Sequence, residues 1–233
     1  MHRHRTVSQS RTRSRASAVA AAVVLASASG SLACEVSSAL YLPCGSTEGI
    51  ASFVAKLRYE DLGGGTASIT IDLTNTTSPT LGGYVTGIAL NAIAGAYDLS
   101  FVSSTDADFL VTPSPVDASP YGHFMAGAAL GGDWLGGGFP EDGIGVGQSV
   151  RFEFTITGSR EFLKDLDAET VLDHSTDAMA VRFRGGVGGW SDKVVGCAPS
   201  PGGISALLIG PIVGVGRRRR STGAARPSVH ASK

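Results

Sequence analysis

Charge is scarce in this chain and unevenly placed. Only 17% of its 233 residues are Asp, Glu, Lys or Arg, and 7% are aromatic. A coiled coil or a disordered chain would carry far more charge, so neither describes it; with 32 glycines the composition fits a loop-rich β protein. Acidic residues are missing before Glu35 and after Asp192, and basic residues are few over 34–196: eight against 20 acids, a formal charge of −12. The overall −1 therefore sums unlike parts. A body of that sign lacks the basic footprint that nucleic acid requires, which excludes such a partner. Catalytic signatures are missing as well. The body offers only His123 and His174 as imidazoles, with no Gly-x-Ser-x-Gly elbow, no His-Glu-x-x-His and no phosphate-cradling Gly loop. Nucleophilic catalysis needs a nucleophile, a base and an orienting group together, and the chain reads as non-enzymatic.

What the ends contain is more informative. Residues 1–15 are basic and polar, and from Ser17 the chain runs SAVAAAVVLASASGSLA without charge to the small-x-small triplet Ser31-Leu32-Ala33. This is the three-part plan of a secretory signal peptide, with signal peptidase expected to cut after Ala33 and leave Cys34 first. The Ala-rich run is too short to suit a permanent span of about 30 Å of hydrocarbon. Lipidation of Cys34 is the alternative, although Ser31 stands where a lipoprotein signal has Leu.

At the other end the chain reads CAPSPGGISALLIGPIVGVGRRRR from Cys197. Thirteen residues of helix over 204–216 would rise only about 20 Å, Pro211 would interrupt them, and the run has no polar face to turn toward water. A charge cluster at one end of an apolar segment sets membrane orientation. The order of Pro motif, short apolar helix and Arg cluster in a secreted chain resembles the PEP-CTERM sorting domain. The resemblance implies that Pro199, Ser200, Pro201 and Gly202 form the recognition and cleavage element for an exosortase-like transpeptidase. It also implies that 204–216 sits transiently in the inner membrane and that Arg217, Arg218, Arg219 and Arg220 hold its end in the cytoplasm. Two departures are visible: Ser200 stands where the family has Glu between the prolines, and 13 residues, 221–233, follow the Arg cluster as an expected disordered tail.

Between the signals, 34–196 is long enough for one domain with its own core. Ala67, Ile69, Ile71 and Leu73 alternate with polar neighbours, as do Val150, Phe152, Phe154 and Ile156, then Met179, Val181 and Phe183, and then Phe53, Ala55, Leu57 and Tyr59. Period-two alternation means one dry and one wet face. Such sheets are antiparallel and must cover the dry face, so the expected fold is an all-β antiparallel sandwich, Ig-like or jelly-roll-like. Weaker strands are expected over 84–91, 97–103 and 109–112, and a single helix over 159–167 capped by Ser159. The texture of SITIDLTNTTSPTLGGYVTGIALN and GQSVRFEFTITGS also resembles the sandwich domains of many PEP-CTERM proteins.

Several residues could bind ligands. The stretch 131–147 holds eight Gly in seventeen residues around Trp134, Phe139 and Pro140; a flexible loop presenting Trp134 could stack on a surface polysaccharide, or Trp134 could simply cap an end of the sandwich. Alternate carboxylates at Asp106 and Asp108, and at Asp165, Asp167 and Glu169, could surround Ca²⁺. Thr170 stands where an EF-hand loop needs Gly, so no cofactor is expected and Ca²⁺ is the ion such a loop would take. Asn75-Thr76-Thr77 is a formal glycosylation sequon. Secretion implies an oxidising compartment, in which Cys34 could bridge Cys44 locally, or Cys44 could join Cys197 if Cys34 is lipidated. The function expected is that of an exported cell-surface or extracellular-matrix component, structural or adhesive, with a carbohydrate-binding or calcium-assisted adhesion module as the alternative.

Overall fold

The computed structural model describes residues 36–173 and 177–198. Twelve strands lie among them: β1 Val36–Ser46, β2 Phe53–Gly63, β3 Thr66–Asn75, β4 Gly82–Leu90, β5 Ala96–Ser104, β6 Phe109–Val111, β7 Val116–Asp117, β8 His123–Phe124, β9 Ala126–Leu130, β10 Ser149–Gly158, β11 Met179–Gly186 and β12 Asp192–Cys197. The one α-helix described, α1, is Arg160–Lys164. It is shorter than the sequence predicts, because Asp165 already closes the turn through its N–H to Phe162 O; Ser159 caps the other end, accepting from Phe162 N. No helix among the described residues is long and apolar enough to cross a membrane.

The strong alternations form the strands they predict. On β3, Ile69 faces Tyr59 of β2 and Phe154 of β10, while Ile71 faces Leu57 and Phe152. All six side chains are buried. Ten strands form one antiparallel sheet in the order β5-β10-β3-β2-β1-β12-β11-β4-β9-β6, with β7 and β8 as a separate pair. The architecture is thus all-β and antiparallel as expected, but its two faces are halves of one continuous sheet folded around a shared core.

The fold in that sheet is made by β1. Residues 36–41 pair with β2, from Val36 opposite Glu60 to Tyr41 opposite Ala55. Residues 42–46 pair instead with β12, across an irregularity between Pro43 and Gly45. Pro43 has no N–H to give a ladder, and a Cβ at Gly45 would meet Val195 Cγ2 at 2.8 Å. A bulge at such a point bends the strand and lets it change partners. At the far ends of the sheet β5 passes to β6 through the short 105–108 connection, and Phe109 of β6 meets Phe152 of β10 edge-on at 5.1 Å. The sheet is therefore nearly closed on itself.

Half of the sheet carries a second apolar layer. Ala89, Val116, Ala118, Phe124, Trp134, Ala180 and Val195 pack together on its outer face, supplied by the excursions that hold β7, β8 and Trp134. Strands β4, β9, β11 and β12 are consequently buried on both sides.

Two devices lock β1 to β12. Cys44 is disulfide-bonded to Cys197 with Cα atoms 5.8 Å apart and a sequence separation of 153, which selects the end-to-end pairing over the local Cys34–Cys44 bridge. At the other end of the seam, Asp192 is buried inside the 46–51 turn. Its Oδ1 accepts from Thr47 N, Thr47 Oγ1, Glu48 N and Ser46 Oγ, and its Oδ2 from Ile50 N and Ala51 N. Burial pushes this carboxyl up, but the hydrogen bonds from Ala51, Ser46, Thr47 and Ile50 outweigh it and hold the group below its ordinary range.

Cys44→Ser should lower stability by about 2–5 kcal/mol, the chain-entropy gain of so long a loop being near the top of that range; a melt with and without reductant checks it, and the variant should no longer respond to reductant. Asp192→Asn replaces an acceptor-only group by one that turns an NH₂ toward backbone donors, and should cost about 3 kcal/mol in urea unfolding. Because the folded Asp192 titrates below its unfolded value, its contribution is present above the ordinary carboxylate range and is lost as pH falls through the folded value. The gap between wild type and Asp192→Asn should therefore narrow in acid.

Candidate functional site

The concave surface of the body collects around the Gly-rich stretch that follows β9. The stretch is fastened to β11 by two cations. Arg182 Nη1 donates to Trp134 O, and Arg184 Nη2 donates to Gly137 O at 2.6 Å and Gly138 O at 3.0 Å. Trp134 is 5% exposed. Its ring lies flat over Gly87 of β4, where a Cβ would stand 2.9 Å from Cε3. Of the two readings of Trp134, exposed stacking platform or buried cap, the structure gives the buried one: the ring roofs the sheet, and a sugar could reach its face only if it left that seat. Trp190 is seated the same way over Gly83 and Gly186 and donates from Nε1 to Leu81 O at 3.1 Å. The aromatic left in the open on this stretch is Phe139, 72% exposed.

Two hollows flank Gly131. A cavity of about 200 Å³ is lined by Asp108, Leu110, Leu130, Gly138 and Asp142. A wider groove of about 740 Å³ is lined by Phe101, Val102, Leu110, Val111, Pro113 and Gly132. The groove lies where the sheet fails to close, between β5, which pairs only with β10, and β6, which pairs only with β9. Val102, Leu110 and Val111 are 57%, 50% and 61% exposed there. Chemically the groove offers apolar contact and two strand edges unpaired among the described residues, features suited to binding.

The acidic candidates are occupied with their own turn. Asp167 Oδ1 accepts from Glu169 N, Thr170 N and Thr170 Oγ1 at 2.8–2.9 Å, and Asp165 closes α1. Three long-range bonds dock this loop on the sheet: Tyr59 Oη donates to Leu163 O, Tyr41 Oη to Ala168 O, and Ala168 N to Ser37 Oγ. Burial, with Asp61 nearby, raises the Tyr59 hydroxyl to about 12. Asp165 and Asp167 are not brought into a ligand set; among the described residues no group of three or more His, Cys, Asp or Glu could hold a metal ion.

The sequon is internal. Asn75 is buried, donating from Nδ2 to Gly83 O and Ile144 O while its Oδ1 accepts from Thr77 N, so the folded body offers no amide to glycosylate. His123 is exposed on β8 opposite Asp117. Ala33, Cys34, His174, the Pro199–Gly202 motif, 204–216 and Arg217 to Arg220 lie outside the described residues. Sequence reasoning missed Asp192, Arg182 and Arg184 as organising groups, since a lone Asp before a Val pair and alternate Arg on a strand carry no signal that separates them from surface charge.

Trp134→Ala should destabilise the body by about 3–5 kcal/mol in urea unfolding, as expected for removing a large buried side chain; a solvent-facing stacking residue would leave the midpoint unchanged. Compared with protein-family models, curated proteins and solved structures, the chain matches none.

Proposed function

We propose that this chain is an exported, non-enzymatic surface or matrix component: a signal peptide, an acidic β-sandwich whose two layers share β1, and a PEP-CTERM-like tail that holds it briefly in the inner membrane for an exosortase-like enzyme. The observation that supports export most directly is the Cys44–Cys197 disulfide. Such bonds form and persist in oxidising compartments and are rare where thiols are kept reduced. The bond also joins the first and last described strands one residue before the chain leaves them at Ala198. A body suspended by its carboxyl end would thereby stay closed.

A structural or adhesive role rests on the exposed apolar rim at Val102, Leu110 and Val111, which exceeds what a solvated surface strand needs. The glycan-binding alternative is favoured by Phe139, which can present a ring to solvent where Trp134 does not. Glycan binding that disappears in Phe139→Ala and survives in a Leu110→Ser control would select that alternative.

Deleting 199–220 tests the sorting reading. The wild type is expected in the envelope or matrix fraction with a mature mass lacking both ends, and the deletion variant free in the medium or periplasm. Equal mass and distribution for the two would overturn it.

A further inference from the structure

Three of the body's eight cations stand side by side on one face of the sheet. Arg182 of β11 is directly opposite Lys193 of β12, and Arg184 follows two residues along β11 on the same face. The neighbouring row on that face is apolar, Ala89, Ala180 and Val195, and is covered by Val116 and Phe124. Like charges directly opposite on a sheet destabilise it. This shows in the side chains themselves: burial and then Arg184 push Arg182 down, and burial and then Arg182 push Lys193 down.

Among the described residues no carboxylate pairs with this cluster. The ion pairs of the described residues, Arg58 and Arg151 with Asp72, are elsewhere. Asp133 and Asp117 act on Arg182 and Lys193 only at a distance. The three cations donate instead to main-chain oxygens: Arg182 to Trp134, Arg184 to Gly137 and Gly138, and Lys193 to Ser119. Those bonds leave N–H groups over. Arg182 Nε, Arg184 Nε and Trp134 Nε1 are buried with no protein acceptor among the described residues. An unmet buried donor destabilises the fold, and an aliphatic pair at these positions would cover the sheet without that cost. The body has 20 acidic residues, and none of those the structure describes stands within ion-pair distance of three adjacent cations. The surplus is entirely of donors and positive charge, and what complements both is an oxyanion.

We propose that the outer face of β11 and β12 at Arg182, Arg184 and Lys193 binds a phosphate or sulfate group. Guanidinium forks match tetrahedral oxyanions bidentately, and an ammonium adds a point charge beside them. Entry is from the rim, where the Arg184 bond to Gly138 and the Lys193 bond to Ser119 are exposed; the anion would take over donors now spent on those loop carbonyls. The site is separate from the groove, and its existence does not depend on the export reading.

Calorimetric titration of the purified full chain with inorganic phosphate, and separately with dextran sulfate, tests it, alongside melts in phosphate and in chloride at equal ionic strength. The expected result is saturable binding in at least one arm, with free phosphate sufficing for a free ion and dextran sulfate alone responding for a polymer-borne group. Lys193→Gln and Arg184→Gln should each weaken that binding about tenfold, the loss of one charge-assisted hydrogen bond. They should also remove the rise in Tm that the responding anion gives the wild type, whereas non-specific salt stabilisation would be common to all variants. If the cations only fasten loops, both variants will melt lower by the same amount in chloride and in the anion that the wild type binds. That result, or the absence of saturable binding in both arms, overturns the proposal; two variants are used so that a folding defect in one does not decide the outcome.

Discussion

A buried carboxylate with no cation in ion-pair reach among the described residues holds the two halves of this sheet together at the β1–β12 seam. Asp192 opens β12, and the turn that follows β1 wraps it with four backbone N–H groups and two hydroxyls. A charge buried away from water must find compensation; here the compensation is the turn itself, which would otherwise leave its own N–H groups unpaired. Turn and carboxylate therefore form together or not at all. Because β1 is the strand that pairs with β2 in its first half and with β12 in its second, fixing the top of the β1–β12 ladder fixes how one half of the sheet turns over the other. The disulfide does the same lower down. Everything inside, from Ile69 and Ile71 to Phe152 and Phe183, depends on that angle to meet its partners from the opposite half.

Closure of the sheet has a second consequence on the outside. With β4, β9, β11 and β12 covered on both faces, the chain needs small residues wherever a roof descends, and it uses glycine as a seat: Trp134 on Gly87, Trp190 on Gly83 and Gly186. The roof in turn is fastened by cations that reach main-chain oxygens, a use of charge that adds direction without adding carboxylates to a face meant to be dry. Part of the scarcity of charge and of the abundance of glycine thus has one origin, a sheet that hides both sides of four of its ten strands.

That origin also decides what could be read from the sequence. Strands β2, β3 and β10 keep one wet face, and their alternation predicts both their positions and the residues they bury; on β11 the alternation places the strand and buries Met179, Val181 and Phe183, but Ala180 on the opposite face is buried too. On β12, Val194 enters the main core and Val195 the outer layer, so Asp-Lys-Val-Val-Gly-Cys has no period to show. The Ala-Gly-Ala-Ala-Leu of β9 is buried at every position, and small residues hide their contribution because glycine and alanine also fill loops. Strand β1 is interrupted by Pro43 and Gly45, which read as a turn when the partner change they permit is unknown. For the candidate site the limit is of another kind. Trp134 was visible, but whether a ring faces solvent or a glycine 47 residues earlier is settled by the register of β4, and the pairing of Arg182 with Lys193 exists only once β11 and β12 are side by side.

The position of Cys197 connects the closure of the body to what would be done with its end. A covalent bond placed one residue before the chain leaves the described strands means that a cut in the Pro motif that begins at Pro199 would remove no residue of β12. Cys197 would stay on the body side, and the seam with β1 would survive intact. Had the bridge been the local one between Cys34 and Cys44, β12 would be held by hydrogen bonds alone at the point nearest the cut, where strand ends fray first. An end-to-end bridge lets the terminus be handled, pulled or trimmed while residues 45–196 stay enclosed by it. The same bond also shields those residues from tension applied through the two ends of the chain, since force entering at Cys197 passes to Cys44 without crossing the core.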